Sequence, residues 1–250
     1  MGERAGANDT QVMSGVARPI APPRNKPAEA FPSLVRRFVE RNASLREGAT
    51  RVRFEQSGEM QLKPGRWLPF RATQEMALER VEFAWDARFR LAPLISMRVQ
   101  DWYRDDDSGL DARLFGRIPV VRAGGIEVAR AEAMRYLAEL AWAPHAMVTN
   151  SALEWREIDA KTIEVATPVG DARVKVLLHF DSNGDITAAS ASARPRLVGK
   201  TSVPTPFRGT YGDYRVVGGV RLPSRAKVAW LPPEGPFTYF RGRLTSLAID

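Results

Sequence analysis

Apolar and polar residues alternate with a period of two through most of 51–122 and again through 152–249. One segment of helical period, 126–143, separates the two stretches. Such alternation describes half-buried strands with one wet face each. It is cleanest at 82–90, where Phe83, Trp85, Ala87 and Phe89 alternate with Glu82, Asp86, Arg88 and Arg90. In 52–62, Val52, Phe54, Met60 and Leu62 share one face and Arg51, Arg53, Glu55 and Glu59 the other. In 171–181, Val174, Val176, Leu178 and Phe180 oppose Arg173, Lys175 and His179. Further strands are predicted at 66–79, 94–104, 110–122, 152–158, 161–168, 184–198, 210–217, 220–230 and 238–249. Nearly all the links are short turns: Lys63-Pro64-Gly65, the acidic run Asp105–Gly109, Asn183-Gly184, Gly218-Gly219 and Pro232–Pro236. Short links make hairpins and exclude crossovers, so the sheet should be antiparallel throughout. Pro204 and Pro206 mark 199–209 as a loop.

Residues 1–30 are rich in Pro, Ala and Gly and have no periodicity; they read as a disordered tail ahead of a single domain at 31–250. Residues 33–46 read as a short helix with Ser33 as its cap. The second helix, 126–143, stops at Pro144. Its apolar stripe is Ile126, Ala129, Ala133, Leu137 and Leu140, and Arg135, Glu139 and Trp142 lie roughly opposite. The expected architecture is α+β: one large, curved antiparallel sheet resembling a half-barrel, with the 126–143 helix packed across it.

Composition excludes several chemistries. There is no cysteine, and His145 and His179 are the only histidines, which argues against thiolate metal sites, most zinc sites and histidine triads. No Gly-rich phosphate loop is present; Gly199-Lys200-Thr201 mimics the end of one, but Arg194 stands where its first glycine belongs. Asp105–Asp107 lacks the spacing of a calcium loop. No metal, cofactor or catalytic residue is therefore assigned, and carboxylates, tyrosines and arginines remain the only candidate catalytic groups.

The chain carries a net charge of +8 and a pI near 10.2. Its arginines are spread along the chain, which favours solvated outer faces over a dedicated nucleic-acid patch. The pairs Arg51/Arg53, Arg88/Arg90 and Arg241/Arg243 fit that role. No apolar run approaches the ~18 residues of a membrane span, and the N-terminus has no apolar signal region. A cytoplasmic location, with peripheral membrane association left open, is the default expectation. The oligomeric state is not specified.

The segment Arg135–Trp142 is the most informative. Arg135 and Glu139 stand four apart and can pair, in the order less favoured by the helix dipole, with Trp142 beside them. Two readings stay open. The helix carries an exposed ion pair and a capping Trp, or the pair and the Trp face a cavity and orient a ligand head group. Trp85, Trp102, Trp155 and Trp230 fall on strands and should mostly be core. A strongly curved sheet nevertheless needs a helix, a ligand or a partner to cover its concave face.

Several segments together resemble an uncharacterised bacterial family, a domain of unknown function. They are Arg135-Tyr136-Leu137-Ala138-Glu139 with Trp142 and Pro144; Leu153-Glu154-Trp155 with Ile158-Asp159; and Tyr214-Arg215-Val216 to Gly219-Val220-Arg221-Leu222-Pro223. Val228-Ala229-Trp230 and Tyr239-Phe240-Arg241-Gly242-Arg243 complete the C-terminal set. Gly58-x-Met60, Lys63-Pro64-Gly65-x-Trp67 and Ala72-x-Gln74 extend the resemblance, which covers roughly 31–250. The family's element order is similar to the half-barrel of lipoprotein carriers, which hold lipid against a concave apolar face. That similarity implies a non-enzymatic binding protein for an apolar or amphipathic, lipid-like ligand. Arg135 and Glu139 would orient its polar head, and Trp85, Trp142 and Phe83, with Gln74, would contact the rest. The alternatives are an enzyme using Glu139 as acid or base with Arg135 tuning it, and an anionic-surface binding module.

Overall fold

The computed structural model describes residues 31–43, 48–104, 107–199 and 201–250; the tail expected at 1–30 lies outside them. The described chain forms α1 (Ser33–Asn42) and strands β1 (Arg51–Lys63), β2 (Arg66–Ala77), β3 (Glu82–Ala92), β4 (Ile95–Arg104), β5 (Asp107–Leu114) and β6 (Ile118–Gly124). A helical passage follows: α2 (Ile126–Ala138), a 3-10 turn (Glu139–Trp142) and α3 (Ala146–Thr149). The second strand series is β7 (Glu154–Asp159), β8 (Thr162–Val169), β9 (Ala172–Phe180), β10 (Ile186–Val198), β11 (Thr201–Val217), β12 (Val220–Trp230) and β13 (Phe237–Ile249).

All thirteen strands join one sheet in the order β6-β5-β4-β3-β2-β1-β13-β12-β11-β10-β9-β8-β7. Every pairing is antiparallel. The chain walks outward from β1 to the edge at β6. It then crosses through the helices to the far edge at β7 and walks back until β13 pairs with β1. The position of α2 shows that the sheet is strongly curved. α2 touches β3, β4, β5 and β6 on one half and β8, β9 and β10 on the other. In a flat sheet β4 and β9 would lie roughly 38 Å apart, whereas a helix is only about 10–12 Å across. The two halves must therefore wrap around α2, which fills the concave side of an open half-barrel.

Inward-facing residues on both halves build the core: Phe83, Trp85, Ala87 and Phe89 on β3, and Val174, Val176, Leu178 and Phe180 on β9 are all buried. They close on Ala133, Tyr136, Leu137 and Leu140 of the helical passage, which are fully buried. The α1 helix caps one end of this core, with Phe38 edge-on to Phe180 at 6.1 Å.

Several expectations are corrected. The run 110–122 is two strands, β5 and β6, joined through Phe115 (φ 53°) and Gly116 (φ 69°). The turn was hidden because Phe115 is a bulky residue in a left-handed conformation that favours Gly or Asn. Asp107–Gly109 is no turn either. Asp107 pairs with Arg104 and opens β5, and its carboxylate accepts from Trp102 Nε1 at 3.0 Å.

The loop expected at 199–209 is the first half of the 17-residue β11. Its prolines are tolerated because the β10–β11 ribbon outruns its neighbours. β9 pairs with β10 only as far as Ser190, and β12 meets β11 only from Phe207. Pro204 and its partner Pro195 thus have no second strand to serve.

Ser33 is the first helical residue and caps nothing; Pro32 precedes it at the cap position. The α1 helix ends at Asn42, whose side chain bonds back to the Phe38 carbonyl at 2.7 Å, and residues 44–46 lie outside the described residues. The helix expected at 126–143 is α2 to Ala138 and the 3-10 turn to Trp142, and it ends before Pro144. Pro144 sits in the first turn leading into α3, where its carbonyl accepts from the Met147 N–H at 3.2 Å and its missing N–H costs nothing.

Strand register also gathers charges that are scattered in sequence. Arg225, Arg243, Arg71, Arg88, Arg98 and Arg113 form one cross-strand row on the outer face of β12 to β5, interrupted only by Ser57 on β1.

Candidate functional site

Five of the six residues expected to contact a ligand are brought together where α2 crosses β2, β3 and β4. The Arg135 guanidinium carbon lies 5.0 Å from the ring centres of both Phe83 and Trp85. Its Nε donates to Glu139 at 2.9 Å and its Nη1 to Asp101 at 2.7 Å, with Glu132 at 3.9 Å from Nη1. The far side of the Glu139 carboxylate accepts from Gln74 Nε2. Gln74 in turn accepts from Gln56 at 3.4 Å, and Gln56 accepts from Trp85 Nε1 at 3.0 Å. A continuous polar relay therefore runs from Trp85 through Gln56, Gln74, Glu139 and Arg135 to Asp101.

This geometry overturns the reading of an exposed ion pair. Arg135 and Glu139 have only 16% and 13% of their side chains accessible, because β2, β3 and β4 cover the helix face that a wheel labels polar. Trp142 is the exception among the six. It sits on the 3-10 turn and packs edge-on against Phe54 and Tyr211 at 6.2 and 5.8 Å. Its Nε1 donates to the Pro223 carbonyl at 2.9 Å, away from the Arg135 relay.

Three participants were not expected. Asp101 holds an inward position on β4 between Val99 and Tyr103, and its parity with those buried residues was the available signal. Glu132 stands one turn before Arg135 on α2 and is also buried. Arg194 donates from Nε to the Ala131 carbonyl at 3.1 Å, and its guanidinium lies 5.3 Å from the rings of both Phe207 and Trp230. Nothing in the alternation announced Arg194, because the register shift between Ala191 and Arg194 changes which face it occupies.

The electrostatics follow from the count of charges: three buried carboxylates against two guanidiniums. Burial, and then the neighbouring Asp101 charge, push the Glu132 carboxyl up to about 7. Burial also raises Asp101, opposed by Arg135. Burial works against the Arg135 charge, but Glu139, Asp101 and Glu132 outweigh it and hold the guanidinium protonated. The Tyr211 hydroxyl is raised by burial and by the Glu139 charge, and it donates to the Ala138 carbonyl at 2.6 Å. Asp101 and Glu132 therefore both hold a proton more readily than free carboxyls do. Asp101 Oδ1 and Glu132 Oε2 are buried without a hydrogen-bond partner among the described residues.

A cleft of about 730 Å³ opens beside this cluster, at the start of α2. Trp102, Tyr103, Gly125, Ala129, Val169 and Gly170 are among its walls, so it lies between the β4–β5 and β8–β9 hairpins. Its walls neighbour the charged residues without including them: Tyr103 and Asp101 share one face of β4, and Ala129 stands one helical turn before Glu132. Among the described residues, no group of three His, Cys, Asp or Glu is placed to hold a metal ion. No helix of those residues is long and apolar enough to cross a membrane.

No curated protein matches the chain. Two solved structures resemble it distantly. A LolA superfamily protein from Nitrosomonas europaea superposes with a TM-score of 0.44 at 10% identity, over 86% of this chain and 93% of that one. A β-barrel-like protein of the domain of unknown function DUF1849 from Brucella abortus gives 0.31 at 9% identity, over 81% of this chain and 98% of that one. Residues 22–242 match the model of DUF6544, a family of unknown function, and the chain belongs to that family.

Proposed function

We propose that this is a non-enzymatic binding protein for an apolar or amphipathic, lipid-like ligand admitted through the cleft beside α2. The observation that carries the reading is the pair of buried carboxylate oxygens, Asp101 Oδ1 and Glu132 Oε2, that have no hydrogen-bond partner among the described residues, close to a 730 Å³ opening. Buried polar atoms are nearly always satisfied, and those that are not often mark where a ligand belongs. The Arg135 guanidinium is already engaged by Glu139 and Asp101, so the group offered to a head group is the acid excess. The preferred head group is therefore a hydrogen-bond donor, a hydroxyl or an ammonium. Tyr103, Val169 and Ile126 supply apolar wall for the remainder. Phe83, Trp85 and Gln74 hold Arg135 and Glu139 in place behind it.

Native mass spectrometry of the purified protein, followed by organic extraction, tests this reading. A bound amphiphile with a donor head group is the expected result, and its loss in Glu132→Gln with Asp101→Asn would tie it to these oxygens. A protein that stays empty after expression and after incubation with mixed lipid extracts would overturn it.

One observation favours a second reading, acid–base catalysis. A buried carboxyl raised to about 7 among other acids is how general acids are prepared, and here that group is Glu132, with Asp101 and the Arg135 guanidinium beside it. Turnover lost in Glu132→Gln with ligand affinity kept would favour it over binding alone.

A further inference from the structure

The two ends of the sheet differ in chemistry. Antiparallel order puts six hairpins on one end, and β5–β6, β3–β4, β1–β2, β12–β13 and β10–β11 form a run of five along it. Hydrogen bonds tie the first four side by side and tie the fourth to the base of the β10–β11 ribbon, whose tip reaches further. Phe115 N–H reaches the Ser96 carbonyl at 2.8 Å, and Arg66 reaches the Leu91 carbonyl at 3.1 Å. Gln61 reaches the Thr238 carbonyl at 3.0 Å, and Leu231 N–H reaches the Pro206 carbonyl at 2.8 Å. Ten strands at about 4.8 Å spacing make this rim an arc of roughly 43 Å.

Turn segments are ordinarily polar. These read Leu-Lys-Pro-Gly-Arg-Trp (62–67), Arg-Leu-Ala-Pro-Leu-Ile-Ser (90–96), Arg-Leu-Phe-Gly-Arg-Ile (113–118), Arg-Leu-Val-Gly-Lys-Thr-Ser-Val (196–203) and Trp-Leu-Pro-Pro-Glu-Gly-Pro-Phe (230–237). Six basic residues among the described ones, Lys63, Arg66, Arg90, Arg113, Arg117 and Arg196, stand against one acidic residue, Glu234. The opposite end carries Asp107, Asp159, Asp181 and Asp185 at or beside its turns. The remaining hairpin, β8–β9, folds against the start of α2, where Asp171 pairs with Arg130.

The rim's apolar side chains are bare. Leu94 is 91% exposed and Phe115 51%, and Leu62, Ile95, Ile118, Leu197, Val198 and Val203 are exposed as well. Phe115 is the most telling. A half-exposed aromatic at φ 53° costs strain for little packing, where Asn or Gly would serve the turn better. Behind these tips, on the outer face, runs the arginine row, which meets the rim at Arg113 and in which like charges stand directly opposite one another at a cost to the sheet. Arg98, Arg113 and Arg225 have carboxylate partners, Asp86, Asp111 and Asp213. No ion pair is recorded among the described residues for Arg71, Arg88 or Arg243.

We propose that this end of the half-barrel docks on an anionic lipid bilayer. Leu94, Ile95, Phe115 and Ile118 seat at the boundary between head groups and acyl chains. Lys63, Arg66, Arg90 and Arg117 lie against lipid phosphates, and the arginine row adds long-range attraction. A nucleic acid would account for the basic residues but not for a rim of bare Leu, Ile and Phe, since such interfaces are polar. The proposal concerns the outer rim and does not depend on what the cleft binds.

The test is co-sedimentation of the full chain with phosphatidylcholine vesicles, with and without roughly one-third phosphatidylglycerol, at low and high salt. Binding is expected with the anionic vesicles only, weakened by salt. Arg66→Glu and Arg117→Glu should each lower it about fivefold or more. Phe115→Asn should lower it while leaving thermal stability equal or higher, which separates docking from folding. A Leu94→Trp reporter should be quenched by brominated acyl chains. A protein that stays in solution with anionic vesicles, or a bound one whose Leu94→Trp reporter is unquenched, would overturn the proposal. So would binding to oligonucleotides through the same residues with vesicles left idle.

Discussion

Arg135 on α2 donates to Asp101 on β4 at 2.7 Å, across 34 residues of sequence, and this bond ties the crossing helix to the sheet half that precedes it. Arg194, from the ribbon of the other half, is bonded to the same helix at Ala131. The halves of the barrel therefore meet α2 through two buried cations and the carboxylates between them.

Arg135 is the keystone of that arrangement. Arg135→Met keeps much of the bulk between Phe83 and Trp85 but leaves Asp101, Glu132 and Glu139 buried without their cation. Breaking a buried pair in this way costs about 3–5 kcal/mol. Denaturant unfolding should show that loss near pH 8 and a smaller one near pH 5, where the stranded carboxyls take up protons. An equal loss at both pH values would mean that Arg135 acts through packing alone.

Glu132 should give the protein a stability that declines with rising pH. Its folded pKa, about 7, lies above the ordinary 4.5, so the folded state binds more protons than the unfolded chain between those values. Stability from this group is complete below about 4.5, is lost progressively up to about 7 and is level beyond. The raised Asp101 acts in the same direction. Glu132→Gln should flatten the profile in that window and stabilise at pH 8 by on the order of 3 kcal/mol at most. Unfolding titrations from pH 4 to pH 8 check both slopes.

Gln74 is fully buried and satisfies two groups at once, Glu139 and Gln56. Gln74→Leu fits the space but orphans both, at a cost of about 3 kcal/mol. Gln74→Glu should be worse, because it sets a second carboxylate against Glu139. Thermal melts of the two variants give the order, and a reversed order would remove the relay as an explanation.

Trp142 should behave as a packing residue. Trp142→Phe keeps the edge contacts to Phe54 and Tyr211 but strands the Pro223 carbonyl, for about 1 kcal/mol. Ligand affinity should not change, whereas Glu132→Gln should alter it. A Trp142→Phe variant of native stability but weakened binding would return Trp142 to the site.

Much of the site was legible because residues four apart on a helix must be neighbours. Arg135 and Glu139 announce their own pair, and the parity of Phe83 and Trp85 puts both on one face of β3. Their meeting with α2 was not legible, nor was the burial of a helix face that reads as polar. Asp101 could have been found as an acid at an inward position. Arg194 could not, because a register shift in its strand breaks the parity rule.

By itself the sequence determined the class of fold. Period-two alternation and short turns leave an antiparallel meander as the only economical solution, and the single helical stretch must cover its inner face. Tertiary structure decided the rest. Only curvature brings β4 and β10 to the same helix and so converts two solvated-looking arginines and three carboxylates into one buried cluster. Only strand register lines up six distant arginines, and only strand order gathers apolar turns on one end and acidic turns on the other. These are relations between residues far apart along the chain, and local periodicity carries no record of them.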